Sequence, residues 1–264
     1  MDLNLQGKRA LVTGSTRGIG LATATELAAM GAAVVINGRD MDKVTAAIAT
    51  LESRVPGAEL SGVAADLGTA EGCAALIAEV PDVDILVNNM GIYAPKPFDQ
   101  ITDADWEEMF YVNVMSGVRL SRHYFTRLLK KDWGRVVFVS SESGIVMPAE
   151  MIHYGFSKAA QLAIARGMAE MTAGTGITVN SVLPGPTWVE ANDERLKKRA
   201  ADQGTTVEAI KAATFSERRP SSLLQRYSAP EEIANMIAYI CSPASSSTNG
   251  AAMRVEGGIV RNPF

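Results

Sequence analysis

The residue pair with the clearest chemical potential is Tyr154 and Lys158, which stand four positions apart in a stretch with helical character. On a helix, that spacing puts both side chains on one face, about one turn apart. A lysine ammonium beside a phenol favours the phenolate and lowers the pKa of the phenol toward neutrality, which makes Tyr154 a usable proton donor and acceptor. In a plainer interpretation the two are surface residues.

Two further polar residues fall where they can join this pair. Ser141 follows an apolar run predicted to be a strand and lies 13 residues before Tyr154, so its hydroxyl can meet a substrate oxygen. Asn113 lies in an earlier helical stretch. It can support Lys158 through a water, or it can simply satisfy backbone groups.

A glycine-rich turn covers residues 13–20, between the first predicted strand and the first predicted helix, with glycines at 14, 18 and 20. Such glycines allow a tight turn, close approach of the backbone to a pyrophosphate, and close packing of helix on strand. The helix N-terminus adds free N–H groups and the positive end of the helix dipole. The spacing is G-x-x-x-G-x-G rather than G-x-G-x-x-G, but its position predicts a phosphate-binding turn.

The choice of cofactor depends on the end of the second predicted strand, where an acidic residue would bind the ribose 2′-hydroxyl of NAD. This chain has Asn37, Gly38 and Arg39 there. Arg39 can bind a 2′-phosphate through a charge-assisted fork, and Arg17 offers a second cation. We therefore predict NADP(H), with NAD(H) as the alternative, unless both arginines are ordinary surface residues. Asp66, after the third predicted strand, can accept from the adenine amino group or cap the next helix.

Short apolar runs alternate with helical patterns along the chain. Strands are predicted at residues 10–12, 33–36, 63–65, 83–87, 135–139 and 177–183, and helices at 18–30, 41–51, 105–129 and 149–172. Unbroken Val, Ile and Leu runs are typical of strands buried on both faces, and strand–helix alternation implies βαβ units. We predict an α/β fold, a doubly wound parallel sheet in one domain over residues 1–264. Residues 184–230 form a long polar insertion, either a lid over the substrate or a solvated helical hairpin.

Composition narrows the classes of partner. The chain has 264 residues, 47% of them hydrophobic, and a net charge of −4, which excludes a disordered chain and disfavours nucleic acid as a partner. The cysteines, Cys73 and Cys241, and the histidines, His123 and His153, lack metal-ligand spacing, so no metal site is expected. No apolar run is long enough for a membrane span and no signal peptide is visible, so we expect a cytoplasmic protein without a membrane partner.

In combination, these features resemble the short-chain dehydrogenase/reductase family over essentially the whole chain. The resemblance rests on the glycine turn, Asp66, Asn88 to Gly91, Asn113, Ser140-Ser141, Tyr154 to Lys158, and Asn180 with Pro184-Gly185. It implies a seven-stranded Rossmann-type sheet, hydride transfer between a nicotinamide and a small-molecule alcohol or carbonyl, and a homotetramer or dimer. Tyr154 would be the acid/base and Ser141 would bind the substrate oxygen. Lys158 would bind the ribose and tune Tyr154, and Asn113 would complete the proton relay.

The resemblance also gives an expected set of binding residues. Those expected to hold the cofactor lie in the glycine turn and after successive strands: Gly14, Ser15, Arg17, Gly18, Ile19, Gly20, Asn37, Arg39, Asp66, Leu67, Asn88, Met90, Gly91, Tyr154, Lys158, Pro184, Gly185 and Thr187. Those expected on the substrate side adjoin the catalytic groups: Tyr93, Glu142, Glu150, His153 and Trp188. Glu142 can bind a substrate hydroxyl or cation, or merely cap the following turn. Met90 replaces the family's small alanine, which would narrow the nicotinamide pocket.

Other functions stay open at this stage. A β-ketoacyl-carrier-protein reductase would need a basic docking surface, for which Arg122, Arg127, Lys130 and Lys131 are candidates. A non-catalytic NADP(H)-binding sensor would have no need of all four catalytic candidates. An epimerase or dehydratase would need a longer C-terminal domain. For self-association, the candidate is a stripe of small residues on the helix after Lys158, formed by Ala159, Ala163 and Gly167.

Overall fold

The computed structural model describes residues 1–189 and 191–263, with the backbone alone given for 191–195. In this part of the chain the strands form one seven-stranded sheet: β1 Arg9–Val12, β2 Ala33–Gly38, β3 Leu60–Ala64, β4 Ile85–Asn88, β5 Gly134–Val139, β6 Ile177–Pro184 and β7 Ala252–Val255. All neighbours pair in parallel, in the order β3-β2-β1-β4-β5-β6-β7. The order reverses between β1 and β4, and this reversal opens a crevice at their carboxyl ends where such sheets bind ligands. The predicted fold class is confirmed.

Helices cover both faces of the sheet: α1 Gly18–Ala29, α2 Met41–Arg54, α3 Ala70–Glu79, α4 Asp103–Phe110, α5 Ser116–Leu128, α6 Ile152–Glu170, α7 Ala191–Asp202, α8 Val207–Ala213 and α9 Pro230–Cys241. The single helix predicted at 105–129 is in fact α4 and α5, joined by a π-helical turn at Tyr111–Met115. The helix predicted at 149–172 begins later, because Ala149–Met151 form a separate 3-10 turn. Among the described residues, no helix has both the length and the apolar character needed to cross a membrane.

Successive residues of each central strand pack against opposite layers of helices. Ala10 and Val12 of β1 pack in a cluster with Leu27 of α1 and residues of α2 and α9. Leu11, between them, packs in a second cluster with Tyr124 of α5 and residues of α3 and α6. Because strand side chains alternate between faces, burial on both sides requires the unbroken apolar runs seen in the sequence. Each large aliphatic side chain buried in this way contributes about 1.5–3 kcal/mol.

The segment 184–230 is closed at its base and has a small apolar cluster of its own. Thr187 and Ser228 pair in an isolated parallel bridge, and the Trp188 N–H donates to the Ser228 carbonyl at 2.8 Å. Farther out, α7 and α8 bury Leu196 and Ile210 together, with Trp188 packed against them. The segment is therefore built as a helical pair on a closed base. Its action as a lid stays a prediction.

Candidate active site

The turn between β1 and α1 has a backbone that only glycine permits. Gly14 and Gly18 have φ angles of +61° and +57°, in the left-handed region that disfavours side chains. A Cβ at Gly20 would lie 2.5 Å from the Gly14 carbonyl oxygen. The N-cap residue Arg17 gives α1 no side-chain hydrogen bond, and the first turn of α1, described in full, has no acidic residue. The first N–H groups of α1 are thus available to an anion.

Thr13 and Asn89 join the glycine turn to the end of β4. The Asn89 side-chain amide donates to the carbonyls of Thr13 and Gly14 at 2.9 and 3.1 Å. In return, the Thr13 hydroxyl oxygen accepts from the N–H groups of Asn89 and Met90, each at 2.9 Å. Sequence reasoning gave Asn89 no role. The available signal was its place just after β4, whose carboxyl end adjoins that of β1.

Asn37 and Ser15 support the same turn from inside the protein. The Asn37 Oδ1 accepts from the Gly14 N–H at 3.2 Å, and its Nδ2 donates to two carbonyls beside the end of β3, at 3.2 and 3.3 Å. The Ser15 hydroxyl donates to the Val12 carbonyl at 2.7 Å and accepts from the Asn37 N–H at 3.0 Å. Both side chains are buried and bonded to backbone. Their contribution to a cofactor site is to shape the turn.

At the edge of β2 and β3 the predicted binding residues divide into exposed and buried ones. Arg17, Arg39 and Asp66 are exposed, whereas Leu67 is fully buried. An Asp66 carboxylate oxygen accepts from the Gly68 N–H at 3.0 Å. The helix-capping role considered for Asp66 belongs instead to Thr69, whose side chain accepts from the first turn of α3.

Asn113 lies buried in the π-helical turn between α4 and α5. Its Oδ1 accepts from the Ile92 N–H at 2.7 Å, and its Nδ2 donates to the Ile92 carbonyl and to the Ser157 hydroxyl, each at 2.9 Å. One side chain therefore joins the loop after β4 to α6. Because a π turn is wider than an α turn, it displaces the backbone locally at the residue that makes these contacts.

Lys158 is held by a chain of hydrogen bonds inside the protein. Its Nζ donates to the Val139 carbonyl at 2.9 Å and to Gln161 Oε1 at 3.2 Å. Gln161 Nε2 in turn donates to the Asn113 carbonyl at 2.6 Å. A side chain that sequence reasoning missed therefore joins Lys158 to Asn113, and the connection expected through a water stays a prediction. Burial lowers the pKa of Lys158 to about 7.

Tyr154 lies beside Lys158, whose Nζ is 5.7 Å from the centre of the phenol ring. Burial, followed by the negative charge of Glu142, raises the pKa of this phenol, and a hydrogen bond with Ser141 opposes them. The sequence analysis expected Lys158 to bring that pKa toward neutrality. The structure gives the opposite direction, because the pocket buries the phenol and places a carboxylate nearby.

An ion-pair cluster adjoins the Ser141 hydroxyl. This hydroxyl donates to Glu142 Oε2 at 2.5 Å. The Arg219 Nε lies 3.3 Å from Glu142 Oε1, and one terminal nitrogen of Arg219 lies 3.4 Å from Glu150 Oε1. The turn after β5 is capped by Ser141, which accepts from the Ser143 N–H, and not by Glu142 as one interpretation had it. Arg219, from the segment 184–230, was not among the predicted site residues.

One cavity of about 340 Å³ is lined by the catalytic candidates Ser141, Tyr154 and Lys158 and by the ion-pair cluster. The predicted residues lining it are Ile19, Gly91, Tyr93, Ser141, Glu142, Glu150, Tyr154, Lys158, Pro184, Gly185 and Thr187. The segment 184–230 adds Thr214, Arg218, Arg219 and Tyr227. The structure thus brings Ser141, Tyr154, Lys158 and the ion-pair cluster to one space beside the glycine turn, whereas Asn113 is not among the lining residues.

Several predicted residues lie outside this lining. His153 is buried edge-on against a tryptophan, and burial lowers its pKa. Trp188 packs against Tyr227, with ring centres 5.3 Å apart. The Asn88 side chain donates to a buried serine at 3.2 Å. The Met90 side chain packs against the core cluster of α3, α5 and α6, and the narrowing of a nicotinamide pocket by Met90 stays a prediction.

The arrangement is suited to proton transfer beside a bound anion. Tyr154 can exchange a proton with a substrate oxygen, Ser141 can hydrogen-bond the same oxygen, and Lys158 is fixed next to both. The turn at the start of α1 offers an anion site at the adjoining crevice. A phosphate-bearing cofactor and a small oxygen-containing substrate can therefore meet at the cavity.

Comparisons with known proteins point the same way. A family model described as short chain dehydrogenase matches residues 8–200. The chain is 48% identical over 264 residues to the uncharacterized oxidoreductase YvaG of Bacillus subtilis, covering 100% of both chains. It is 32% identical to the 3-oxoacyl-[acyl-carrier-protein] reductase FabG of Aquifex aeolicus, covering 98% of this chain and 100% of that one. The crystal structure of L-sorbose reductase from Gluconobacter frateurii, complexed with NADPH and L-sorbose, superposes with a TM-score of 0.93 at 28% identity, covering 99% and 100%.

Proposed function

Because the chain belongs to the short-chain dehydrogenase/reductase family of oxidoreductases, we propose that it interconverts a secondary alcohol and a carbonyl with NADP(H), using Tyr154 as acid and base. The observation that carries the proposal is the meeting of Ser141, Tyr154 and Lys158 at one cavity beside the glycine turn. We further propose that residues 1–264 form one cofactor-binding domain, with the segment 184–230 as its substrate lid.

The residues present fit a dinucleotide. Glycine keeps the turn tight, because a Cβ at Gly20 would lie 2.5 Å from the Gly14 carbonyl oxygen, and the N-terminus of α1 has no side-chain cap to compete with a pyrophosphate. Asp66 would bind the adenine and Lys158 the nicotinamide ribose. The exposed cations Arg17 and Arg39 would bind a 2′-phosphate, which supports NADP(H) over NAD(H). When bound, such a cofactor supplies or accepts the hydride.

Side chains of the protein donate the proton and hydrogen-bond the reacting oxygen. In reduction, Tyr154 donates a proton to the carbonyl oxygen, and burial keeps the phenol protonated for this step. Ser141 hydrogen-bonds the same oxygen; removing such a donor typically costs about 3–4 kcal/mol of transition-state stabilisation. A chain of hydrogen bonds from Lys158 through Gln161 to Asn113 holds the Lys158 side chain in place beside the phenol of Tyr154.

The relatives suggest two substrate classes, a ketose and a carrier-bound ketoacyl group. A carrier protein is acidic, and the basic groove on α5, lined by Arg119, Arg122, His123, Arg127 and Lys130, favours a ketoacyl reductase as the second candidate. Against it, two of these arginines already donate within the protein: Arg119 to a carbonyl at 3.3 Å and Arg127 to His123 at 3.0 Å.

We also propose a homotetramer, with a dimer as the alternative, built on the exposed face of α6. Ala163 and Gly167 are exposed there, a Cβ at Gly167 would meet nothing within 4 Å, and Phe156 is 46% exposed. Small residues let a second helix approach closely. For location, we propose the cytoplasm, supported by Cys73 and Cys241, which are free and buried, as in proteins of reducing compartments.

The test is a panel of carbonyl substrates with NADPH and NADH, followed by absorbance, and then repeated with Tyr154→Phe. This variant is expected to lose turnover on every substrate and to keep NADPH affinity, because it removes the transferable proton and leaves the phosphate site intact. Lys158→Ala is expected to weaken both turnover and cofactor binding. Substantial turnover by Tyr154→Phe would contradict the assignment.

A further inference from the structure

The carboxylate of Glu142 lies one hydrogen bond away from the groups that would hold the reacting oxygen. Its Oε2 accepts from the Ser141 hydroxyl at 2.5 Å. Its charge also acts on the Tyr154 phenol, and both residues line the cavity. Glu142 is only 5% exposed. A carboxylate so buried normally needs partners, and here it has them on two sides.

The second partner of the Glu142 carboxylate, after Ser141, is Arg219. Its Nε lies 3.3 Å from Glu142 Oε1, and a terminal nitrogen lies 3.4 Å from Glu150 Oε1. Arg219 thus fixes one oxygen of Glu142 and leaves the other, Oε2, beside Ser141. An ionised carboxylate has about four lone-pair sites. Oε2 can therefore accept a further hydrogen bond from a molecule in the cavity.

The position of Glu142 Oε2 indicates which functional group a substrate in the cavity has beside its reacting oxygen. The Ser141 hydroxyl has one proton, which it now donates to Glu142 Oε2. When it turns to donate that proton to a substrate oxygen also bound by Tyr154, Oε2 loses its partner and is left as an acceptor beside that oxygen. Two oxygens on adjacent carbons are separated by three covalent bonds, a span comparable to one hydrogen bond. We propose that the substrate is an α-hydroxy carbonyl compound, and that Glu142 accepts from the hydroxyl on the carbon next to the carbonyl. This inference rests on the proposed function.

The position next to the carbonyl favours a hydroxyl over a carboxylate. A carboxylate there would face Glu142 Oε2, and two ionised carboxylates have no proton to share in a hydrogen bond. Thr187, Thr214 and Tyr227 add hydroxyl groups elsewhere in the lining. In the reaction, the carbonyl carbon gains the hydride of NADPH and its oxygen gains the Tyr154 proton. The products are a vicinal diol and NADP⁺, and the neighbouring hydroxyl changes no bond.

The test compares 1-hydroxy-2-butanone with 2-butanone, and with 2-oxobutanoate as the acidic analogue, using NADPH. For the wild type we expect kcat/KM to be at least about tenfold higher for the hydroxyketone, because a site built to bind a hydroxyl rejects the analogue lacking it. The acid is expected to be the poorest substrate. Equal kcat/KM for the hydroxyketone and 2-butanone would overturn the inference and leave the proposed function standing. Turnover of none of the three, nor of any other carbonyl, would overturn the proposed function itself.

Variants of the protein then test whether Glu142 is responsible for the preference for the hydroxyketone over 2-butanone. Glu142→Gln is expected to reduce the ratio of the two kcat/KM values toward one, and a loss common to both substrates cancels in that ratio. Glu52→Gln, the same change at an exposed glutamate of α2, is the matched control, and its ratio is expected to stay that of the wild type. A Glu142→Gln ratio equal to the wild type would overturn the assignment to Glu142. Glu142→Asp, which keeps the charge and shortens its reach, serves the same comparison if the Gln variant does not fold.

Discussion

Lys158 and Gln161 are joined by a hydrogen bond of 3.2 Å between Nζ and Oε1 inside the protein. The amide of Gln161 extends the connection to the Asn113 carbonyl at 2.6 Å. Gln161 is 2% exposed, so both of its contacts are made away from bulk water. We infer that Gln161 is a positioning residue that fixes the Lys158 ammonium group next to Tyr154.

Replacing Gln161 with leucine tests this role. The change removes a donor and an acceptor at similar volume and leaves the Asn113 carbonyl without its partner, which typically costs about 1–3 kcal/mol. We expect kcat/KM to fall by about tenfold or more, together with a shift in the pH dependence of kcat. Steady-state kinetics across pH checks both. The control is Gln6→Leu at an exposed glutamine, expected to stay within about twofold. An unchanged pH profile in Gln161→Leu would reduce Gln161 to a packing role.

The lowered pKa of Lys158 predicts a pH dependence of stability. The folded protein loses this proton at a pH of about 7, whereas an unfolded lysine keeps it up to about 10.5. Between these values the unfolded chain binds more protons, so the free energy of unfolding rises with pH. Relative to Lys158→Met, the wild type is expected to gain up to about 3 kcal/mol between pH 7 and 9.5.

Urea unfolding of both proteins across this range measures the difference. Below about pH 6 the difference is expected to be constant, since both states then hold the proton. Lys43→Met, at an exposed lysine of α2, is the control and is expected to track the wild type at every pH. A Lys158→Met curve parallel to the wild type up to pH 9.5 would mean that burial does not lower this pKa.

Cofactor preference is expected to depend on Arg39. A charge-assisted contact to a phosphate is worth roughly 1.5–3 kcal/mol, so the wild type should favour NADPH over NADH by at least about tenfold. Arg39→Asp is expected to reverse the order, because its carboxylate repels the 2′-phosphate and accepts from a 2′-hydroxyl. Arg54→Asp makes the same charge change at the far end of α2 and should keep the wild-type preference. Titration of NADPH and NADH into each protein measures this preference. Equal affinity of the wild type for the two cofactors would refute the prediction.

Assembly is expected to depend on the exposed face of α6. Ala163→Arg places a long charged side chain where a second helix would approach, so we expect a smaller particle in light scattering at micromolar concentration. Ala46→Arg, at an exposed alanine of α2, is expected to leave the particle mass unchanged. A wild-type protein that is already monomeric at that concentration would refute the tetramer and the dimer together.

The sheet could be predicted from sequence where its strands are buried on both faces. The strands β1, β2, β4, β5 and β6 are rich in Val, Ile, Leu and Ala, with Thr178, Asn180 and Ser181 as polar exceptions in β6, and each was located. The strand β7 was not, because its four residues, Ala252–Val255, are exposed or half-buried at the sheet edge and Arg254 interrupts their apolar pattern. The division of α4 from α5 also escaped notice, since a π turn leaves the helical pattern of side chains nearly intact.

Site residues could be predicted from sequence where the residues of a motif lie close together along the chain. The glycine turn lies within eight residues and the Tyr154–Lys158 pair within one helical turn. The contact of Glu142 with Arg219 joins residues 77 positions apart, and it depends on the path of the segment 184–230, which no spacing rule describes. The direction of the Tyr154 pKa was missed for a related reason. It is set by burial and by a carboxylate, and both appear only when the chain is folded.

The pairing of Thr187 with Ser228 has a consequence for how this protein can diverge. The segment leaves the sheet and returns to it at one point, and each doubling of the length of such an excursion adds only about 0.6 kcal/mol of closure entropy. Its outer part can therefore be lengthened, shortened or exchanged for that of a relative, whereas residues 222–226 hold the segment to the Gly257 carbonyl and to Glu232 of α9. Residues 191–219 then behave as an exchangeable unit, and a transplanted unit brings a different partner for Glu142 while the proton-transfer groups stay in place.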